Sequence, residues 1–186
     1  MYKRQVEEVT LVDFDDRVIK ICERYFQGVR EAFKDPRVEI VYMDGLRYVE
    51  EASKPYDVVV LDVTDIEDPH SKAFFSRSFT EKVKGVMDPG GILSAQAGCS
   101  HLVQYKLFKE VIEVFRSSFK YVNPYSVYIP SFGVAWGFIY SSQSRDMGAK
   151  NPGEIDTLLE KRGVETRFYD GVLHHYFANM RINIFE

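Results

Sequence analysis

Three short apolar runs in the first third of the chain each stop abruptly on an aspartate. Val9-Thr10-Leu11-Val12 ends on Asp13, Val38 to Met43 on Asp44, and Val58-Val59-Val60-Leu61 on Asp62. A run of this length with little polar interruption is the pattern of a strand buried on both faces of a parallel sheet. Between the runs the periodicity changes: Val18, Ile21, Cys22 and Tyr25 recur at helical spacing, and Leu46 and Val49 mark a second, short helix. Strands alternating with helices predict a parallel sheet, since a parallel neighbour is reached only through a crossover.

The pattern continues with a helix from about Ala73 to Met87 and a turn at Asp88-Pro89-Gly90-Gly91 that delivers Ile92 to Gln96 as a fourth strand. A longer amphipathic pattern spans His101 to Phe119. Val122 to Ile129 and Trp136 to Ser141 then flank Pro130-Ser131-Phe132-Gly133 and read as two adjacent strands rather than another crossover unit. Residues 142 to 152 read as a surface loop, Glu154 to Lys161 as a short helix, and the tail from Arg167 as aromatic, ending without a clear cap. The expectation is an α/β fold: one domain with an open, doubly wound, mostly parallel sheet closed by an antiparallel hairpin.

Composition narrows the functional classes. A chain of 186 residues can bury one sizeable core. A net charge of −4 gives no bulk attraction to nucleic acid or an anionic membrane and suits a cationic ligand. Cys22 and Cys99 are too few and too far apart for a disulfide framework, and His70, His101 and His175 show no metal-ligand spacing. With no secretory signal and no apolar run of bilayer length, the expected location is the cytoplasm.

The strand-end acids carry the functional argument, because open α/β sheets hold their ligands outside the carboxyl ends of their strands. Asp62 and Asp65, with Glu67 and Asp68 close behind, suit a cationic substrate or acceptance of a proton. Asp65 or Asp68 can instead cap a helix starting near Ser71, whereas an ionised Asp62 at the inner end of a buried strand requires a partner or a ligand. In nucleotide-binding sheets an acid about 20 residues beyond a glycine-rich turn holds the ribose hydroxyls. Asp13 fits that acid, but counting back from it runs off the start of the chain. Met1 to Gln5 would then end the first crossover helix, with the first strand and its loop missing. Asp44 can accept from an exocyclic amine such as that of adenine, with Gly45 letting the backbone approach a flat ring. The alternative is an Asp-Gly turn capping the next helix.

The segments VTLVDFDDRVI, DPRVEIVYMDG, YDVVVLDVTD, DPGGILSAQAG and FKYVNPYSVYIPSF with WGFIYSS, in this order, resemble the polyamine aminopropyltransferases: spermidine, spermine and thermospermine synthases. The resemblance covers nearly the whole chain. It implies a Rossmann-like, class I methyltransferase-like catalytic domain over residues 1–186, truncated at its N-terminus, with a core of about 6–142 and an extension over 143–186. The implied activity is transfer of an aminopropyl group from decarboxylated S-adenosylmethionine, a co-substrate rather than a prosthetic group, to a polyamine of the putrescine, spermidine or agmatine class, with 5'-methylthioadenosine as product. The resemblance matches Asp13 to the ribose acid, Asp44 (with Gly45) to the adenine acid, and Asp62 to the catalytic carboxylate beside the donor. Asp65 matches the second acid of that loop, Gln96 and Phe132 border the acceptor channel, and His174 matches a structural histidine. It also implies a homo-oligomer, dimer or tetramer.

The chemistry is consistent with these roles. A sulfonium leaves as a neutral thioether and needs no acid, while the attacking amine is protonated near neutrality and needs a carboxylate to bind it and take its proton. Three departures from the family pattern stand out: the glycine-rich loop and the small N-terminal β domain are missing, Pro130-Ser131-Phe132-Gly133 replaces Pro-Thr-Tyr-Pro, and DVTDIEDP replaces DSTDP, placing Ile66 and Glu67 at the channel. Together with Gln96-Ala97-Gly98 and Trp136-Gly137, the second points toward the thermospermine type. A small-molecule methyltransferase using S-adenosylmethionine and a non-catalytic interaction domain are the alternatives. Trp136 reads as packing.

Overall fold

The computed structural model describes residues 6–64, 66–101 and 105–180, and the chain divides into two compact units, 1–52 and 53–186. The segment Met1–Gln5, assigned above to a crossover helix, lies outside the described residues, as do Asp65 and the start of the long helix at 102–104.

The first unit is a strand–helix–strand element. β1 (Val9–Asp13) pairs in parallel with β2 (Val38–Tyr42) through five residues, and α1 (Asp16–Tyr25) and α2 (Gln27–Phe33) form the crossover. α3 (Gly45–Glu51) follows β2. The helix α2 was not foreseen, because Phe26 takes an extended conformation and divides a crossover that the sequence pattern reads as one helix.

The second unit holds a four-stranded mixed sheet in the order β3-β4-β6-β5, built from β3 (Tyr56–Leu61), β4 (Met87–Cys99), β5 (Tyr121–Ile129) and β6 (Val134–Ser142). β3 and β4 are parallel; β6 is antiparallel to both β4 and β5, which gives the expected closing hairpin. Gly133, at φ 69°, supplies the left-handed residue of the β5–β6 turn. α4 (Arg77–Gly85) and α5 (Lys106–Arg116) pack on one face of this sheet, where Leu93, Ala95 and Ala97 of β4 alternate inward. Val83, Leu93, Phe108, Val111, Phe115 and Ile139 are wholly buried there and form the core. α6 (Pro152–Lys161) begins with a capping box between Asn151 and Glu154 and packs against α7 (Gly171–Ala178). None of the described helices is long and apolar enough to cross a membrane.

Four local expectations change. β3 is not buried on both faces: Val58 is 54% and Val60 69% exposed, because the face of β3 that they share, opposite Val59 and the buried Leu61, has no covering layer among the described residues. The helix expected over 73–87 is a 3-10 turn (Lys72–Phe75) followed by α4, interrupted at Ser76, which is extended and caps α4 by accepting from the Phe79 amide. Asp88–Gly91 lies inside β4 as an insertion: Met87 still pairs with Tyr56, and Ile92 with Val58. The C-terminal tail, for which the sequence pattern predicts no helix, holds α7, begun by the Asp170 carboxylate accepting from the Leu173 amide.

Candidate active site

In the first unit Asp13 and Asp44 close neighbouring parallel strands, and the Met43 amide donates to the Asp13 carbonyl at 3.1 Å. Asp13 is half-buried, and its Oδ1 accepts from the Asp15 amide at 2.8 Å, which fixes the carboxylate at the strand end. Asp15 is engaged elsewhere. It caps α1 and holds the Arg17 guanidinium through two bonds of 2.9 and 2.8 Å, and these hydrogen bonds lower its pKa to about 2.

Asp44 is exposed, and its Oδ1 accepts from the Leu46 and Arg47 amides at 2.8 and 3.2 Å, so it is the N-cap of α3 with Gly45 as the first helical residue. The capping alternative is therefore realised. Oδ2 remains without a partner among the described residues, and a carboxylate that caps through one oxygen can accept from a ligand amine through the other.

In the second unit Asp62 follows the last residue of β3, the buried Leu61. Asp62 is exposed and, among the described residues, has no hydrogen bond or ion pair; water, rather than a protein cation, accounts for its tolerance at a strand end. The loop that carries it is held at two points. Thr64 Oγ1 and the buried Ser71 Oγ share a hydrogen bond of 2.5 Å across the loop. The Val63 carbonyl accepts from Gln96 Nε2 at 2.5 Å. Asp68 closes a tight turn by accepting from the His70 amide at 2.8 Å. Asp65 lies outside the described residues.

Gln96 is the hub of this region. Its Oε1 accepts from the Gly98 amide at 3.1 Å and from the Trp136 indole N–H at 2.9 Å. The amide orientation is fixed by its neighbours, since two N–H donors face the oxygen and a carbonyl faces the nitrogen. Gly98, at φ 81°, lies in a β-bulge where Gln96 pairs with Phe138 but Cys99 already pairs with Trp136. The positive φ allows the Gly98 amide to fold back onto the side chain two residues before it. Phe132, 57% exposed at the tip of the β5–β6 turn, stands edge-on to Trp136 with ring centroids 4.8 Å apart.

Gln96 and Phe132, far apart in sequence, are thus joined through Trp136, which the sequence reading assigned to packing. The signal was an indole donor, which needs a partner when partly buried, opposite a lone polar side chain in Ala95-Gln96-Ala97. His174 ties α7 to the 3-10 turn Met147–Ala149, bonding the Met147 carbonyl at 2.8 Å and the Tyr169 hydroxyl at 2.5 Å, which is a structural arrangement.

Residues 1–151 match the family model described as the spermine/spermidine synthase domain. The chain belongs to this family. Among the spermine/spermidine synthase relatives, the polyamine aminopropyltransferase of Pyrobaculum calidifontis is 37% identical over 186 residues, covering 96% of this chain and 63% of that protein. Polyamine aminopropyltransferase 1 of Hyperthermus butylicus is 35% identical over 175 residues, covering 91% of this chain and 60% of its own. The chain therefore spans somewhat less than two thirds of the length of the curated relatives it matches. A spermidine synthase solved with the transition state analogue AdoDATO superposes with a TM-score of 0.82 at 21% identity over 94% of this chain and 59% of that one. The spermidine synthase of Thermotoga maritima gives 0.79 at 22% identity, covering 94% of this chain and 58% of its own. Both share the α/β fold.

Proposed function

We propose that this chain transfers an aminopropyl group from decarboxylated S-adenosylmethionine to a polyamine amine, in the manner named for its relatives. The single observation that carries the reading is Asp62: an exposed, unpartnered carboxylate at the carboxyl end of a parallel strand, on a loop fixed by Thr64–Ser71 and Gln96, in a member of this family. In the reaction the acceptor nitrogen attacks the methylene next to the sulfonium and the carbon–sulfur bond breaks. The electron pair stays on sulfur, giving 5'-methylthioadenosine, and Asp62 binds the acceptor ammonium and takes its proton. Asp65 is the second acid toward the amine, Phe132 borders the acceptor, and Gln96 fixes the loop that presents Asp62. Asp13 takes the ribose hydroxyls of the donor, and Asp44, beside Gly45, takes the adenine amine through its second oxygen.

The test is release of 5'-methylthioadenosine by the purified chain given donor and a di- or triamine, followed by mass spectrometry. Turnover that falls about 10²–10⁴-fold in Asp62→Asn, with an unchanged circular dichroism spectrum, is expected. A folded chain that releases no thioether with any amine overturns the reading. The open edge of β3, with Val58 and Val60 exposed, supports a homo-oligomeric state.

A further inference from the structure

Next to the Asp62 loop the second unit contains a cavity of about 210 Å³, walled by Ile66, Leu107, Val134 and Trp136, with Glu67, Gly98 and Cys99 completing the lining. Glu67 is exposed and has no hydrogen bond or ion pair among the described residues. Three apolar side chains, an aromatic face and one free carboxylate around a small space make a recognisable combination: methylenes lie along the aliphatic wall, and an ammonium is held by the carboxylate and the indole face. The other polar side chain at this end of the sheet cannot do that work. Both acceptor positions of Gln96 Oε1 are filled, by Gly98 and Trp136, and what its amide has left to offer is an N–H, which repels a cation.

We propose that Glu67 and this cavity form a subsite for the distal ammonium of a linear polyamine, which makes Glu67 a specificity-determining residue favouring acceptors with a charge beyond the reacting amine. Naming the ligand as the acceptor rests on the aminopropyl-transfer reading; the subsite itself does not. Glu67 and Ile66 lie where DVTDIEDP departs from DSTDP, so the preference belongs to this chain's own sequence.

Trp136 is the one tryptophan of the chain and lines the cavity, so its fluorescence reports occupancy without turnover. The intact chain is titrated with spermidine, with n-butylamine, which has no distal ammonium, and, as an uncharged control, 1,8-octanediol. A saturable change with spermidine, weakened at least about tenfold in Glu67→Gln while n-butylamine binding changes less than about threefold, is the expected result; such a factor lies at the low end of what one close charge pair supplies. Equal spermidine affinity in Glu67→Gln, or a Trp136 signal indifferent to every amine, overturns the subsite. Transfer with an unaltered acceptor KM in Glu67→Gln overturns the subsite and keeps the reaction. Glu67-dependent binding without any thioether release keeps the subsite and overturns the reaction.

Discussion

Asp44 holds an amide-rich helix start with one carboxylate oxygen and leaves the other open, so the cap and the proposed donor contact separate by substitution. Asp44→Ala removes the cap and is expected to cost about 1 kcal/mol of stability by urea denaturation, while Asp44→Asn keeps the cap and most of that stability. Donor affinity, measured by calorimetry, should fall in both. Gln96 behaves differently, because removing it strands three groups at once: the Trp136 and Gly98 N–H groups and the Val63 carbonyl. Gln96→Leu is expected to lower stability by about 1–3 kcal/mol and to increase hydrogen exchange in the loop around Asp62; unchanged exchange there would remove its positioning role. Asp15 gives the pH signature of the first unit. Its folded pKa, held near 2 by Arg17, lies below the ordinary value of 3.8. The stabilisation is therefore present above about pH 4 and is lost as the pH falls through about 2. An acid titration of Asp15→Asn should lack that component.

Among the elements, the packing of α5 on β6 leaves no room for a side chain at Gly137. A Cβ on Gly137 would lie 2.5 Å from the Phe108 ring, and Phe108 is fully buried. Gly137→Ala should destabilise by about 1–3 kcal/mol in thermal unfolding, and Phe108→Leu in the same background should recover part of the loss. Strand existence was legible from the sequence, because runs such as Val38–Met43 and Ile92–Gln96 have no competing helical reading. Strand exposure was not. An apolar run reports what a strand was selected to face, and only the layers packed above and below the sheet decide what it does face. α7 escaped notice because its apolar residues lie all round a short helix with no one-sided stripe, leaving Asp170 as the only start signal. Within the site, the strand-end acids were readable because each follows an apolar run directly. The Gln96–Trp136 bond was not, since it joins residues 40 positions apart and depends on a bulge that no local pattern announces.

For the molecule as a whole, the β3 edge presents unpaired backbone and two exposed valines, a template for self-association. Sedimentation velocity should show concentration-dependent association that Val58→Lys with Val60→Lys reduces; a concentration-independent monomer in the unaltered chain would exclude it. The insertion at Asp88–Gly91 matters at this scale too. Gly90 lies under the Arg145 guanidinium, and Ser142 and Ser144 anchor the carbonyls of Gly91 and Pro89 at 2.8 Å each. That segment sets the phase of everything after it in β4, as a spacer sets reading frame. Loss of a single codon within it would exchange the two faces of the strand, sending Ile92, Ser94 and Gln96 toward the helices and Leu93 and Ala95 away. Chains of this type should therefore tolerate substitution at Asp88 and Pro89 far better than any change in the length of the segment, whereas a Cβ at Gly91 would meet the Asp88 carbonyl at 2.9 Å, although no residue among them touches the chemistry.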